Sequence, residues 1–296
     1  MPIKPVKPIQ PIKNGLSVDV EDYFHAEAIA AHVGRDRWDA MESRVVNNTK
    51  RVLDLLEEHR AHATFFVLGW VAERFPQLVR DIHARGHEIG CHSYWHRLIY
   101  RLSPEEFRED THRAKHTVES TIGARVTGYR APSFSITRDS LWALDILSEL
   151  GFAYDSSIFP IRHDFYGIPG HPRFRSSYAQ KGRASLVELP LSTVHVGNLN
   201  LPFAGGGYLR IFPFDYTRRA FRRVNEGEQQ PAIVYFHPWE IDPQQPRLKL
   251  PLKSRFRHYT NLSGMKDRLT SLLQTYEFVP LHQLLEQGIV SHAKAS

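Results

Sequence analysis

Gly15-Leu-Ser-Val-Asp-Val-Glu-Asp22 sets aliphatic and β-branched residues in alternation with polar and acidic ones, directly after the turn-forming Asn14. That is the pattern of a β-strand. The strand ends on three acids, Asp19, Glu21 and Asp22. A buried strand can end this way only where the carboxylates are paired, solvated or bound to a cation, because an uncompensated buried charge is too costly to keep. Side chains alternate along a strand, so Asp19 and Glu21 share a face while Asp22 points the other way or begins the loop.

Outward from this strand, helical and extended patterns alternate. Residues 47–60 carry an Asn cap at Asn47 and apolar Val52, Leu55 and Leu56 at helical spacing. Ala63-Thr-Phe-Phe-Val-Leu68 is a continuous apolar strand bounded by Gly69. A helix over 71–85 and a short strand over 87–90 follow. Ser103-Pro-Glu-Glu106 opens another helix with a capping-box pattern and proline in its first turn, running to about residue 122. Further strands are predicted over 126–130, 185–189 and 232–237, with long Gly/Pro-rich loops between the later ones. Helices are predicted over 138–150 (ended by Gly151), 261–276 and 281–288. Repeated βα units imply a parallel sheet, so the expected fold is α/β, a distorted (β/α) barrel.

In such barrels the functional groups sit at the C-terminal ends of the strands. The acids at 19–22, Arg130 and His237 all fall there. So does a histidine pair inside Gly86-His-Glu-Ile-Gly-Cys-His-Ser-Tyr-Trp-His96. His92 and His96 stand four residues apart; on a helix they would lie on one face and two imidazoles could converge on one point. A carboxylate from elsewhere and a water would complete a metal site. Taken alone, the pair could equally be two surface histidines of a His-rich chain.

The 296 residues suit one large domain or two small ones, and 42% apolar with 24% charged residues is ordinary for a soluble globular protein. A single cysteine, Cys91, excludes an intramolecular disulfide and reads as a buried structural thiol. Metal chemistry would therefore rest on the 17 histidines and the carboxylates. Residues 1–14 read as a proline-rich extended arm, and 15–296 as one domain with a C-terminal extension from about residue 240. The arm has no apolar core of signal-peptide length, and no apolar run of ~18 residues occurs. These features lead to the expectation of a cytoplasmic protein, acting at the inner membrane face. The net charge of +6 would favour an anionic partner. The basic residues are spread along the chain without a nucleic-acid motif, so the charge reads as a solubility feature and no nucleic-acid partner is expected.

Motif by motif, the sequence resembles the polysaccharide deacetylases that share the NodB homology domain, carbohydrate esterase family 4. Val18-Asp-Val-Glu-Asp22 resembles the first motif, His92-Ser-Tyr-Trp-His96 the metal motif and Arg130-Ala-Pro-Ser-Phe134 the third. Asp155-Ser-Ser157 resembles the fourth and Phe236-His-Pro238 the fifth, in the same chain order. A narrower resemblance is to deacetylases encoded with exopolysaccharide and exosortase (PEP-CTERM) loci. Asp19-Val-Glu-Asp-Tyr-Phe24, Leu201-Pro-Phe-Ala-Gly-Gly-Gly-Tyr-Leu-Arg210 and Phe256-Arg-His-Tyr-Thr-Asn261 carry it.

The resemblance implies hydrolytic removal of N-acetyl groups from an N-acetylated oligo- or polysaccharide, with a bound divalent metal, Zn2+ by preference. It implies His92 and His96 as ligands, Arg130 as the residue that orients the catalytic acid, and Asp155 as a group tuning His237. His237, with a reference pKa of ~6.5, is the natural general acid. The family's first motif has two adjacent aspartates, whereas the acids here are at 19, 21 and 22. Either Asp19 is the base and Glu21 the ligand, or Glu21 is the base and Asp22 the ligand; the former is favoured, Asp19 being the shorter and stiffer side chain. Trp95, Phe134, Tyr208 and Trp239 are candidates to stack on sugar faces. Gly205-Gly-Gly207 would let backbone approach a ligand closely. Hydrolysis of another amide, in a peptidoglycan sugar or a ureide, and a non-catalytic carbohydrate-binding or export module are the alternatives. The combination of acids, histidines and Arg130 argues against the second.

Overall fold

The computed structural model describes residues 12–178 and 185–285. The expected arm, up to residue 11, and the end of the closing helix expected over 281–288 lie outside these residues. Eleven strands are present among them: β1 (Asn14–Val20), β2 (Thr64–Val67), β3 (Glu88–Cys91), β4 (Gly128–Tyr129), β5 (Tyr154–Asp155), β6 (Ser176–Tyr178), β7 (Leu186–Glu188), β8 (Thr193–Val196), β9 (Leu199–Pro202), β10 (Ile233–Phe236) and β11 (Phe278–Val279). The main sheet runs β10-β1-β2-β3-β4-β5-β7, all parallel; β6 is antiparallel on the β7 edge and β11 also pairs with β1. The sheet curls without closing. The fold is a distorted α/β half-barrel.

Alternation along the strands builds two cores. Leu16, Val18 and Val20 of β1, Phe65 and Val67 of β2, and Val234 and Phe236 of β10 face the outer cluster under the helices. Phe66, Ile233 and Tyr235 belong to a second cluster with Phe134, Tyr154, Phe159 and Leu189. On β1 the face opposite the outer core carries Ser17 and Asp19, both buried. The two-residue period thus brings polar groups to the concave side beside Phe66 and Tyr235.

Ten α-helices surround the described sheet: α1 (Glu27–Ala30), α2 (Val45–Glu58), α3 (Gly69–Arg74), α4 (Pro76–Ala84), α5 (Pro104–Ile122), α6 (Trp142–Glu149), α7 (Gly206–Ile211), α8 (Phe214–Arg222), α9 (Leu252–Tyr259) and α10 (Met265–Thr275). The capping box predicted for α5 is present, Ser103 Oγ accepting from Glu106 N and Glu106 Oε2 from Ser103 N, and Gly123 ends the helix left-handed at φ 68°. The single helix expected over 71–85 is broken in two. Pro76 disfavours a helical Phe75, which sits at φ −128°, ψ 57°. The region between 189 and 232, expected to be long loops, holds the β8–β9 hairpin, α7 and α8, and α9 forms where no element was expected. Gly205-Gly-Gly207 approaches protein rather than a ligand: a Cβ at Gly205, whose φ is 143°, would stand 2.2 Å from the Tyr235 carbonyl oxygen of β10. No described helix is long and apolar enough to cross a membrane.

α2 begins at Val45, two residues before the Asn cap expected from local sequence, and no side chain of its own caps it. The cap comes from the turn after β1 instead. Asp22 accepts from Ser43 Oγ at 2.6 Å, Arg44 N at 2.9 Å and Val45 N at 3.2 Å. A carboxylate on orphan N–H groups at a helix start is favourable both by hydrogen bonding and by the helix dipole. Asp22→Ala should therefore lower the unfolding free energy by roughly 1–3 kcal/mol, read as a lower urea midpoint with unchanged slope. An unshifted midpoint would remove Asp22 from this role.

Candidate metal centre and active site

At the end of β1 the chain delivers two acids to the concave mouth. Asp19 Oδ1 accepts from Arg130 Nη1 at 2.8 Å. Arg130 has no solvent exposure; Nη1 also donates to Ser17 Oγ (2.7 Å), Nε to the Ser156 carbonyl (3.0 Å) and Nη2 to Ser156 Oγ (2.8 Å), with the Phe66 ring 4.3 Å away. The other oxygen of Asp19 lies 3.9 Å from His237 Nε2.

Glu21 is placed between imidazoles. Its Oε2 is 2.8 Å from His96 Nε2 and its Oε1 3.3 Å from His237 Nε2, while Trp239 Nε1 donates to Oε1 at 3.4 Å. Burial pushes the Glu21 carboxyl up, but His96 and His237 together outweigh it and hold it well below the usual carboxylate range. Despite the 2.8 Å approach, Oε2 is buried without a hydrogen-bonding partner. Glu21, His92 and His96 each offer one ligand atom, all within 4.8 Å of one another. A buried carboxylate oxygen without a hydrogen, converging with imidazole nitrogens, is a donor set that fits a divalent cation of the zinc type.

The histidines reach this point on a loop, not on a helix. Ser93 and His96 adopt φ of 64° and 51°, and His96 N bonds to Ser93 Oγ at 3.1 Å. The loop is tied down by Tyr94 N donating to Asp110 Oδ2 of α5 at 2.7 Å. Its carbonyls serve α3, with Gly69 N on Ser93 O at 2.9 Å and Trp70 N on Tyr94 O at 3.3 Å. His92 Nδ1 donates to the Arg130 carbonyl at 2.8 Å, which leaves Nε2 as the lone-pair nitrogen. Burial pulls the His92 imidazole down to about 4, so it stays neutral.

Asp22 and Asp155 stand apart from this cluster. Asp22 caps α2, which removes it from the expected ligand positions. Asp155 accepts from Ser157 Oγ (2.5 Å) and Ser157 N (3.2 Å) and lies beside Glu188 of β7. Burial pushes both carboxyls up. Among the described residues no hydrogen bond or ion pair joins Asp155 to His237, contrary to the expected tuning role. That contact belongs to Glu240, which the sequence reading missed: its Oε2 accepts from His237 Nδ1 and His237 N, each at 3.0 Å. Arg210 of α7 holds Glu240 in turn, Nε to Oε1 at 2.6 Å, both side chains buried. Burial lowers His237, but Glu21, Glu240 and Asp19 outweigh it and raise it to about 9. The signal was a glutamate three residues after His237 with proline between, a capping-box spacing.

The aromatic candidates divide by accessible face. Trp239 is buried, with the His237 ring stacked at 5.1 Å and the His258 ring at 4.3 Å, so it has no exposed face for a sugar. Phe134 is buried against Phe159, Tyr166 and Tyr235 and belongs to the inner core. Trp95 and Tyr208 are half-buried; Tyr208 shares a 2.7 Å hydrogen bond with Tyr166. A further imidazole, His25, lies fully buried near His96, ring centroids 6.4 Å apart, its Nδ1 accepting from Asp22 N at 2.9 Å. Burial drives it down to about 3.

Residues 37–154 match the family model of polysaccharide deacetylase, and residues 156–286 match a domain of unknown function, DUF3473. The chain is 34% identical over 98 residues to a peptidoglycan-N-acetylglucosamine deacetylase of Bacillus cereus, covering 33% of this chain and 36% of that protein. It is 31% identical over 100 residues to a chitooligosaccharide deacetylase of Bradyrhizobium sp., covering 34% and 43%. The chain thus spans less than half the length of these curated relatives. In fold it is similar to a Mycobacterium smegmatis structure assigned as a polysaccharide deacetylase, with TM-score 0.61, 21% identity and 94% of each chain covered. It is also similar to Puue allantoinase, with TM-score 0.57, 14% identity and 90% and 86% covered.

The donor set predicts which acid controls metal content. Glu21→Gln should release a bound divalent ion from purified protein while Asp19→Asn and Asp22→Asn keep it, as measured by elemental analysis after gel filtration. Retention by the Glu21 variant, or loss from the Asp22 variant, would overturn this donor set.

Proposed function

We propose, from the polysaccharide deacetylase domain that this chain carries, that it is a metal-dependent hydrolase removing N-acetyl groups from a glycan. The observation that carries this reading is the convergence of Glu21, His92 and His96 between Asp19–Arg130 on one side and His237–Glu240 on the other. Amide hydrolysis needs an activated water, stabilisation of the developing oxyanion and a proton for the leaving nitrogen. A divalent ion such as Zn2+ on Glu21, His92 and His96 would polarise the acetyl carbonyl and acidify a bound water.

The chain's own groups supply the rest. Asp19, oriented by Arg130, takes the proton of the attacking water. Glu240 accepts a hydrogen bond from His237 Nδ1–H, which directs Nε2 at Glu21 and Asp19, and from there Nε2 hands its proton to the sugar nitrogen as the C–N bond breaks. Acetate and the free amine leave together. The resemblance to deacetylases of exopolysaccharide loci favours a bacterial exopolysaccharide or its precursor as substrate.

Acetate release from N-acetylglucosamine oligomers, with allantoin as the competing amide and a chelator control, tests this reading. Metal-dependent acetate release supports it; ureide hydrolysis without acetate release would replace it. His237→Ala should lower kcat by on the order of 10²–10⁴-fold with metal retained. Glu240→Gln should fall in the same direction without loss of metal. An unchanged kcat in the His237 variant would exclude it as the proton donor.

A further inference from the structure

Between Asp242 and Asp267 the sequence contains no acid and six bases, Arg247, Lys249, Lys253, Arg255, Arg257 and Lys266. This stretch forms the approach to α9 and the helix itself. One side of α9 is anchored: His258 is buried and stacked on Trp239. The other side is not covered by any described residue. Leu252 is 80% and Phe256 57% exposed, one helical turn apart, and Lys249, Lys253 and Arg255 around them are exposed. Phe165, 45% exposed, extends the apolar surface, with the Arg257 guanidinium 5.8 Å from its ring. Three of the five large apolar side chains exposed among the described residues therefore cluster here. The same segment lines an open concavity with His32, Arg247, Leu250 and Tyr259, outside the candidate metal centre. One acid faces the bases, Asp164 at 3.8 Å from Lys253 Nζ.

A ring of bases calls for an anionic partner, and two projecting apolar side chains call for a partner with apolar depth. A polyanionic glycan offers the first but has no interior for Leu252. An anionic lipid surface offers both: charge at the headgroups and hydrocarbon a few ångströms below. We propose that residues 247–257 dock this protein peripherally on an anionic lipid surface, with Leu252 and Phe256 entering the interface and the surrounding lysines and arginines on the headgroups. The helix is rigidly joined to the candidate site. Arg210 donates to the carbonyls of Arg257 (2.9 Å), His258 (3.0 Å) and Thr260 (2.6 Å) at its C-terminal end and also holds Glu240. A glycan carried at the membrane would meet the mouth of the half-barrel close to this docking helix.

The test is sedimentation of the full chain with vesicles of phosphatidylcholine alone or mixed with phosphatidylglycerol. Two variants are compared, the charge reversal Lys249→Glu/Lys253→Glu/Arg255→Glu and the apolar removal Leu252→Ser/Phe256→Ser. Both alter exposed side chains, and matching thermal melts establish that they fold. The expected result is binding to the mixed vesicles only, weakened by salt. Charge reversal should weaken it by on the order of 10²-fold or more, and apolar removal roughly ten-fold or more with every charge in place. Failure of the unaltered chain to bind mixed vesicles, or equal binding by the Leu252/Phe256 variant, overturns the proposal. Retention on a soluble acidic polysaccharide through the same bases, without vesicle binding, would assign the surface to a glycan instead. No readout depends on catalysis, so the result stands whether or not the deacetylase reading does.

Discussion

Arg130 carries its charge where no solvent reaches, and the polar groups of the concave face are arranged around it. Asp19 and Ser17 come from one face of β1, two residues apart, Arg130 itself follows β4 and Ser156 follows β5, so the guanidinium ties β1 across the concave face to two strands further along the sheet. Breaking a buried pair of this kind costs ~3–5 kcal/mol, because the partner is left charged in a low-dielectric site. The contact that orients Asp19 is therefore also one that holds the half-barrel. Its reach extends further: the Arg130 carbonyl takes the His92 Nδ1 proton and so fixes which imidazole nitrogen faces Glu21. One residue thereby positions both the candidate base and a candidate ligand.

The loops that finish the site are strained, and their strain is offset by contacts elsewhere. Ser93, His96, Ser133 and Phe134 all adopt positive φ without being glycine, each at a cost of order 1–3 kcal/mol. What holds them is not local. Asp110 takes Tyr94 N, Ser157 Oγ takes Ala131 N at 2.7 Å, and Ser135 Oγ takes Ile99 N at 3.0 Å. A helix from His92 to His96 would have kept its carbonyls for itself. The loop instead gives those of Ser93 and Tyr94 to the first N–H groups of α3, which has no side-chain cap.

This division explains what was legible in the sequence. The period-two alternation of β1 put Asp19 on the concave face because a pleated strand has no other option, and the Ser103–Glu106 capping box is equally a matter of neighbours; Glu21 instead lies one residue past the strand, its N–H on the Asp19 carbonyl at 3.0 Å. The βα rhythm gave the half-barrel for the same reason. What failed was anything decided across the fold. Asn47 has the composition of a helix cap, yet Asp22 supplies one from more than twenty residues away and so leaves the metal cluster. Asp155 sits in the right motif, but its oxygens turn to Ser157, and the partner of His237 comes from Glu240. Pro76 is the local exception, ending one helix at Arg74 and opening another within a stretch expected to be a single helix.

The C-terminal part of the described chain, read from sequence as an extension, takes part in building the site. β10 delivers His237, and the turn after it returns Glu240 to the imidazole while Trp239 spans the gap to His258. Burial, and after it the nearby Arg210, pulls His258 down to about 3, so it is a neutral ring against Trp239. Its Nε2 pairs with Gln245 Oε1 at 2.7 Å, and Gln245 donates back to the Trp239 carbonyl at 2.9 Å. The indole is thus held by two stacked imidazoles and along its backbone, with its N–H on Glu21. An aromatic held this way fixes the carboxylate and the imidazole relative to each other but has no surface left to offer a sugar. Trp95 and Tyr208 are the aromatic candidates that keep accessible surface. Tyr208 is half-buried and sits two residues before Arg210 on α7, so the helix that steadies Glu240 also carries a candidate sugar-binding ring.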